Sequence, residues 1–212
     1  LRGDFRKVSD GSARTGQVRE GLAFLVGHPV LRPLVITSSL LNLASTAYFA
    51  VFVLWAVGPT SAVGLSPEHY PFITLGLAVG AVAGSMVAAR LQAWLGEKRT
   101  IIGALVASVL LMLVPVLWPT PFALALAFTL VGVTNTVGDV LSQSLRQRLV
   151  PGALLGRIGG ASRTLSYGLM PLGALLGGVL AQATGLTATF YAAVVVSLAA
   201  CGYLANALRH AD

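Results

Sequence analysis

The chain has 212 residues, of which 56% are hydrophobic and only 10% are Asp, Glu, Lys or Arg, and its mean hydropathy is +0.82. A soluble domain carries about 25% charged residues, so a water-exposed fold of this length is excluded and a membrane-embedded one is implied. The net charge of +7 would suggest nucleic acid in a soluble protein, but the placement of the cations gives it another meaning.

Residues 1–29 form a polar, basic leader. Val18, Leu22 and Leu25 stand at helical spacing in its second half. That pattern suits a short amphipathic helix on a membrane surface, or a linker that runs straight into the first span. Residues 30–212 then form a transmembrane domain. A spanning helix needs about 20 mostly apolar residues, and six such runs follow, at 30–57, 70–94, 100–118, 121–145, 158–183 and 187–208. Gly58-Pro59, Gly64, Gly96, Pro119, Pro121, Pro151-Gly152 and Gly185 punctuate the connectors. Pro33 falls in the first turn of its span, where proline is tolerated, and Pro171 marks a kink in the fifth. Trp55, Trp94 and Trp118 fall at span ends, as interface aromatics do.

All 14 Lys and Arg residues precede or open the first span, or flank the turns after the second, fourth and sixth. The turns after the first, third and fifth spans hold none. Alternate turns of a six-span chain face the same side, so every cation lies on one face. The positive-inside rule makes that face cytoplasmic and places both termini there. The basic character thus reads as orientation in a plasma (inner) membrane, with lipid as a partner and no nucleic acid. Arg146 and Arg148 are expected to anchor the inner surface.

Gly76, Gly80 and Gly84 stand four apart in the second span, and Gly173 and Gly177 in the fifth. Lipid gives no hydrophobic drive for helix association, so small residues that let backbones close together supply it. The recurrence three spans later suggests two three-helix units, 30–118 and 121–209. An odd-numbered repeat must be inverted in the membrane. Their first helices carry matching polar stripes, Ser38, Asn42, Ser45 and Thr46 against Asn135, Asp139, Ser142 and Gln143. Both sets hold one face at about 100° per residue. The expected fold is an all-α six-helix bundle built from two inverted repeats. Asn42, Ser45, Thr46 and Asn135 are candidates for lining a path through it, or for hydrogen bonds between helices.

Asp139 is the only acid inside a span, with no charge within six residues on either side. Intramembrane acids face the bundle interior or water and have partners. Asp139 lies seven residues before Arg146, about 10 Å along the axis, and Arg163 six residues after Arg157, about 9 Å. Both are measured from the same turn, so an Asp139–Arg163 ion pair is expected. It would act as a clamp or gate; the other reading of Asp139 is a proton or cation-substrate site.

The stretches "EGLAFLVGHPVLRPLVITSSLLNL", "ARLQAWLGEKR" and "SLRQRLVPGALLGRIGGASRTLSYGLMPLGALLGGVLA" resemble the C-terminal half of major facilitator superfamily exporters, closest to the macrolide-efflux and enterobactin-exporter-like branch. Gly84, Arg90, Gly96, Lys98 and Arg99 resemble that superfamily's cytoplasmic loop motif, with Ala89 where the motif has an acid. The resemblance implies spans seven to twelve of a twelve-span protein, the N-terminal six-helix half being absent. It also implies a substrate path between the halves, lined by the first helix of each unit.

No GxxxxGK[ST], HExxH or GxSxG motif occurs, so neither an enzyme nor a cofactor or metal is expected. The expected function is secondary transport: ion-gradient-driven efflux of a hydrophobic or amphiphilic small molecule, completed by the missing half or by a second copy. The alternative is a non-transporting membrane interaction subunit or an inactive half-transporter.

Overall fold

The computed structural model describes residues 23–210. Val18, Leu22 and most of the leader lie outside them. The described end of the leader is helical over 23–27 (α1). Its Leu25 is buried among Leu31, Val35, Val150 and Ile158, while Val26 is exposed.

Among the described residues, six helical segments are long and apolar enough to cross a membrane, matching the six expected spans. The first is α2 (Leu31–Ala56), the second α3 (Tyr70–Leu95), and the fourth α6 (Pro121–Leu149). The third is broken into α4 (Glu97–Leu111) and α5 (Val114–Leu117), and the fifth into α7 (Leu155–Gly168) and α8 (Met170–Thr184). The sixth is α9 (Leu186–Arg209).

Local chemistry sets these limits. His28 opens α2, its Nδ1 accepting from the backbone N–H of Val30 and Leu31. Thr120 caps α6 through its hydroxyl, with Pro121 at the first helical position. The α3–α4 turn is Gly96 at φ +79°, and the α8–α9 turn is Gly185 at φ +93°. Both take the left-handed region that residues with a Cβ avoid. They occupy equivalent places in the two three-helix units.

Proline accounts for both breaks. Pro171 cannot donate to the carbonyl four residues back, and the fifth span breaks at Leu169, ahead of it. Pro115 does the same in the third span, which the sequence reading took as continuous. There the Tyr48 hydroxyl donates to the Met112 carbonyl oxygen at 3.1 Å, satisfying a group next to the interrupted ladder.

Packing follows the repeat. α3 lies along α6, and α8 along α2. The second helix of each unit therefore packs on the first helix of the other. A Cβ on Gly80 would strike the Thr129 carbonyl oxygen, and one on Gly84 would come within 2.6 Å of the Val133 carbonyl oxygen. A Cβ on Gly76 would lie 2.7 Å from Thr129 Oγ1. Gly132 of α6 faces the Leu77 carbonyl in return, a reciprocal glycine that the sequence reading passed over. On the other side, Gly173 faces the Leu43 carbonyl, and a Cβ on Gly177 would come 2.5 Å from that of Ala47. All five glycines singled out for packing sit at these two crossings. Two further pairings, α4 on α6 and α2 on α9, are exchanged into one another when the units are swapped, and α4 on α9 maps onto itself.

One end of the bundle is filled by rings. Tyr48 and Phe190 stand 4.5 Å apart between centroids, Phe52 and Phe128 5.1 Å, and Trp55 meets Phe190 edge-on at 5.5 Å. Trp55 is only 6% exposed. It belongs to the core and is not the interface residue its position at a span end suggested. Trp94 and Trp118 are exposed.

Candidate functional site

α6 packs on α3 and α4, whereas α7 packs mainly on α2. Consecutive helices α6 and α7 are thus held apart by their partners. Between them and α2 lies an open groove of about 600 Å³, walled by Ser38, Asn42, Asp139, Gln143, Arg146, Arg163, Ser166 and Tyr167 among others. It adjoins an inner cavity of about 160 Å³ between α2, α4, α6 and α9. Ser38, Asn42, Asp139 and Ser142 line both. The groove occupies the end of the bundle opposite the aromatic plug.

The two polar stripes meet here. Asn42, Ser45 and Asn135 line the inner cavity, as do Ser38, Asp139 and Ser142. Asn135 Oδ1 accepts from Ser108 Oγ at 2.6 Å, so it serves both candidate roles, wall and helix–helix bond. Thr46 does not join them. Its hydroxyl donates back to the Asn42 carbonyl at 2.7 Å, the bond open to any helical threonine whose side chain has no better partner. Ser108 and Ser197 also line the cavity; each is an isolated hydroxyl on the third helix of its unit, with no polar stripe around it to single it out.

The Asp139–Arg163 ion pair is not formed. Both residues line the groove, on opposite walls, and the charge nearest Asp139 along its own helix face is Arg146, seven positions on. The reason lies in side-chain direction. Side chains on a helix lean toward its N-terminus. α6 runs into the α6–α7 turn and α7 runs out of it, so Asp139 leans away from that turn and Arg163 leans toward it. Similar backbone depths become unequal charge depths. Arg146 is two turns after Asp139 on the same helix face, and its lean carries the guanidinium back toward the carboxylate.

Arg146 is therefore no surface anchor. Its Nη2 donates to Ser38 Oγ of α2 at 3.1 Å and its Nη1 to Ser162 Oγ of α7 at 3.2 Å. One guanidinium ties three helices together across the narrow end of the groove. Arg148 pairs with Glu97 in the α3–α4 turn. Its side chain is 53% exposed, closer to the anchoring role expected of it.

The residues of the loop motif stand apart from the groove. Gly84 is interior to α3 and serves the helix crossing. Arg90 is exposed beside Val87, Leu91 and Trp94. Gly96 makes the turn. Lys98 Nζ donates to the Leu208 carbonyl at 3.1 Å, and Arg99 lies alongside Leu208 and Arg209. Together with Glu97 they tie the α3–α4 turn to the ends of α6 and α9. Among the described residues, no group of His, Cys, Asp and Glu is placed to hold a metal ion.

Comparison with known proteins agrees with this architecture. The family model of the Major Facilitator Superfamily matches residues 37–210. A curated relative, described as "Multidrug efflux pump Tap" from Mycolicibacterium fortuitum, is 28% identical over 174 residues, covering 82% of this chain and 41% of that protein. The chain thus spans less than half the length of this relative. No solved structure matches. With six membrane-spanning helices in two three-helix units and a family match over most of its length, the chain belongs to the major facilitator superfamily.

Proposed function

We propose that the chain is the C-terminal half of an efflux transporter that moves a hydrophobic or amphiphilic small molecule across a bacterial plasma membrane, driven by an ion gradient. The observation that carries this reading is the continuous polar route from the open groove into the inner cavity, walled by the first helix of each three-helix unit. Ser38, Asn42, Asp139 and Ser142 line both the groove and the cavity, so the route stays polar from one to the other. The efflux activity named for the mycobacterial relative supports the same direction.

On this reading the groove is one wall of the substrate path. A second six-helix half, from a longer chain or a second copy, supplies the other wall. The end holding the groove also holds Arg146, Arg148, Arg163 and the α3–α4 turn. By the positive-inside rule it faces the cytoplasm, and the aromatic plug closes the outer side. Arg146, bound to α2 and α7 at once, acts as the inner latch: release of Ser38 and Ser162 frees α7 to move against α2.

Inverted membrane vesicles containing the chain, with and without a co-expressed N-terminal six-helix half, test the reading. Movement of a fluorescent amphiphile should follow an imposed ion gradient and stop when an ionophore collapses it. Absence of gradient-dependent movement in both preparations overturns it and leaves a membrane interaction subunit.

A further inference from the structure

We propose that the groove binds an anionic group, the carboxylate or phosphate of an amphiphile, on Arg163; the proposal rests on the transporter reading and names the class of substrate that this groove takes.

Arg163 lies eight residues into the spanning segment Leu155–Thr184, about 12 Å from its start. It is exposed to the groove. Among the described residues its guanidinium has neither a hydrogen bond nor an ion pair. A cation within a membrane span is costly and is retained where it meets a counter-charge or lines a water-filled route. Among the described residues the only acid lining the groove is Asp139, which stands seven positions before Arg146 on the same helix face. Two guanidiniums against one carboxylate leave the groove with an excess positive charge, carried by Arg163.

The surroundings suit an anion. Ser166 and Tyr167 follow Arg163 at three and four positions, on the same helix face. Ser166 is 6% exposed, and its Oγ has no hydrogen-bond partner. Across the groove Arg146 Nε is also buried without one. Both donors lie beneath the groove wall, so the exposed Arg163 guanidinium is the group that meets an incoming anion, and they join it only when that wall shifts. An arginine fork meets carboxylate or phosphate in bidentate fashion. The groove's volume of about 600 Å³ exceeds one anion. It leads past Asn42 and Ser142 to the inner cavity, where Leu41, Phe49, Val109 and Leu204 offer an apolar wall. A ligand with an anionic head toward the α6–α7 turn and an apolar body toward the cavity fits both ends.

Binding of dodecanoate, dodecyl phosphate and dodecylammonium to the chain in phosphatidylcholine nanodiscs tests this. The two anions should bind tighter than the cation by about tenfold or more, the size of one charge-assisted contact. Arg163→Gln should abolish that preference and Arg163→Lys retain part of it. Arg99→Gln, outside the groove, should leave it unchanged. Equal binding of anion and cation, or a preference that survives Arg163→Gln in a folded protein, overturns the proposal. Displacement of the probe by phosphatidylglycerol added to the disc assigns the site to a lipid headgroup, and lack of displacement to a free amphiphile. Anion binding needs no gradient. Binding without efflux therefore fails the transporter reading alone, and efflux without anion preference fails this inference alone.

Discussion

Arg146 Nη2 donates to Ser38 Oγ at 3.1 Å, joining α6 to α2 across 108 positions of sequence. Asp139 stands seven positions before Arg146 on the same face of α6. Arg163, at a similar distance from the α6–α7 turn, lies on the opposite wall of the groove and forms no ion pair with Asp139. A double-mutant cycle distinguishes the pairings. Asp139→Asn with Arg146→Gln should show a coupling of about 0.5–3 kcal/mol, as residues in one network do. Asp139→Asn with Arg163→Gln should be additive within the error of the measurement. Equilibrium unfolding of the purified chain in mixed micelles provides both values.

The glycines of the α3–α6 crossing make a sharper contrast. Gly80→Ala places a methyl group against the Thr129 carbonyl oxygen, which belongs to backbone and cannot swing aside. Overpacking of this kind costs about 1–3 kcal/mol. Gly178→Ala, five residues after Gly173 in α8, meets nothing within 4 Å. There the substitution should be neutral or stabilise by about 0.5–1 kcal/mol through helix propensity. Thermal melts of the two variants should move in opposite directions or differ by that sum.

Tyr48→Phe removes a single buried hydrogen bond, from the phenol to the Met112 carbonyl, and leaves the ring in place against Phe52 and Phe190. The loss of the bond should cost about 1 kcal/mol. It should loosen the α4–α5 break first, so amide exchange at 112–117 should accelerate more than at 101–109. Uniform acceleration along the whole third span would contradict that assignment.

Cys201 is 2% exposed and packs with Val109 and Val194 where α9 meets α4. A membrane-permeant maleimide should fail to label it in the folded chain and label it fully in denaturant. Labelling of the native chain at a rate comparable to a free thiol would show that α4 and α9 separate readily.

The membrane spans were legible because hydrophobicity over about 20 residues is a local property. Each expected span overlaps an observed one, with ends displaced by a few residues. The kink at Pro171 was legible for the same reason, since proline breaks the ladder wherever it stands. Pro115 carried the same signal and was passed over because the run around it is uniformly apolar. Trp55 shows the opposite failure. Its place at a span end is a statement about depth, while its burial depends on which neighbour its face of α2 meets, here Phe190 of α9.

The polar stripes were legible as periodicity, and the structure brings Asn42, Ser45, Asn135 and Asp139 to one cavity. Thr46 fell away because a threonine in a helix can satisfy itself on its own turn. Nothing in the spacing separated that outcome from lining the cavity.

Composition and periodicity alone therefore determined that this chain carries six membrane-spanning segments and that glycine and polar faces recur three spans apart. These follow from the cost of exposing polar backbone and charge to lipid, which acts residue by residue along the chain. Only the tertiary structure decided which charge meets which. α6 and α7 are neighbours in sequence but are drawn apart by α3 and α2, and their side chains lean in opposite directions from a shared turn. That geometry keeps Asp139 and Arg163 from pairing across the groove, ties Arg146 to Ser38 and Ser162, and leaves Arg163 facing the groove.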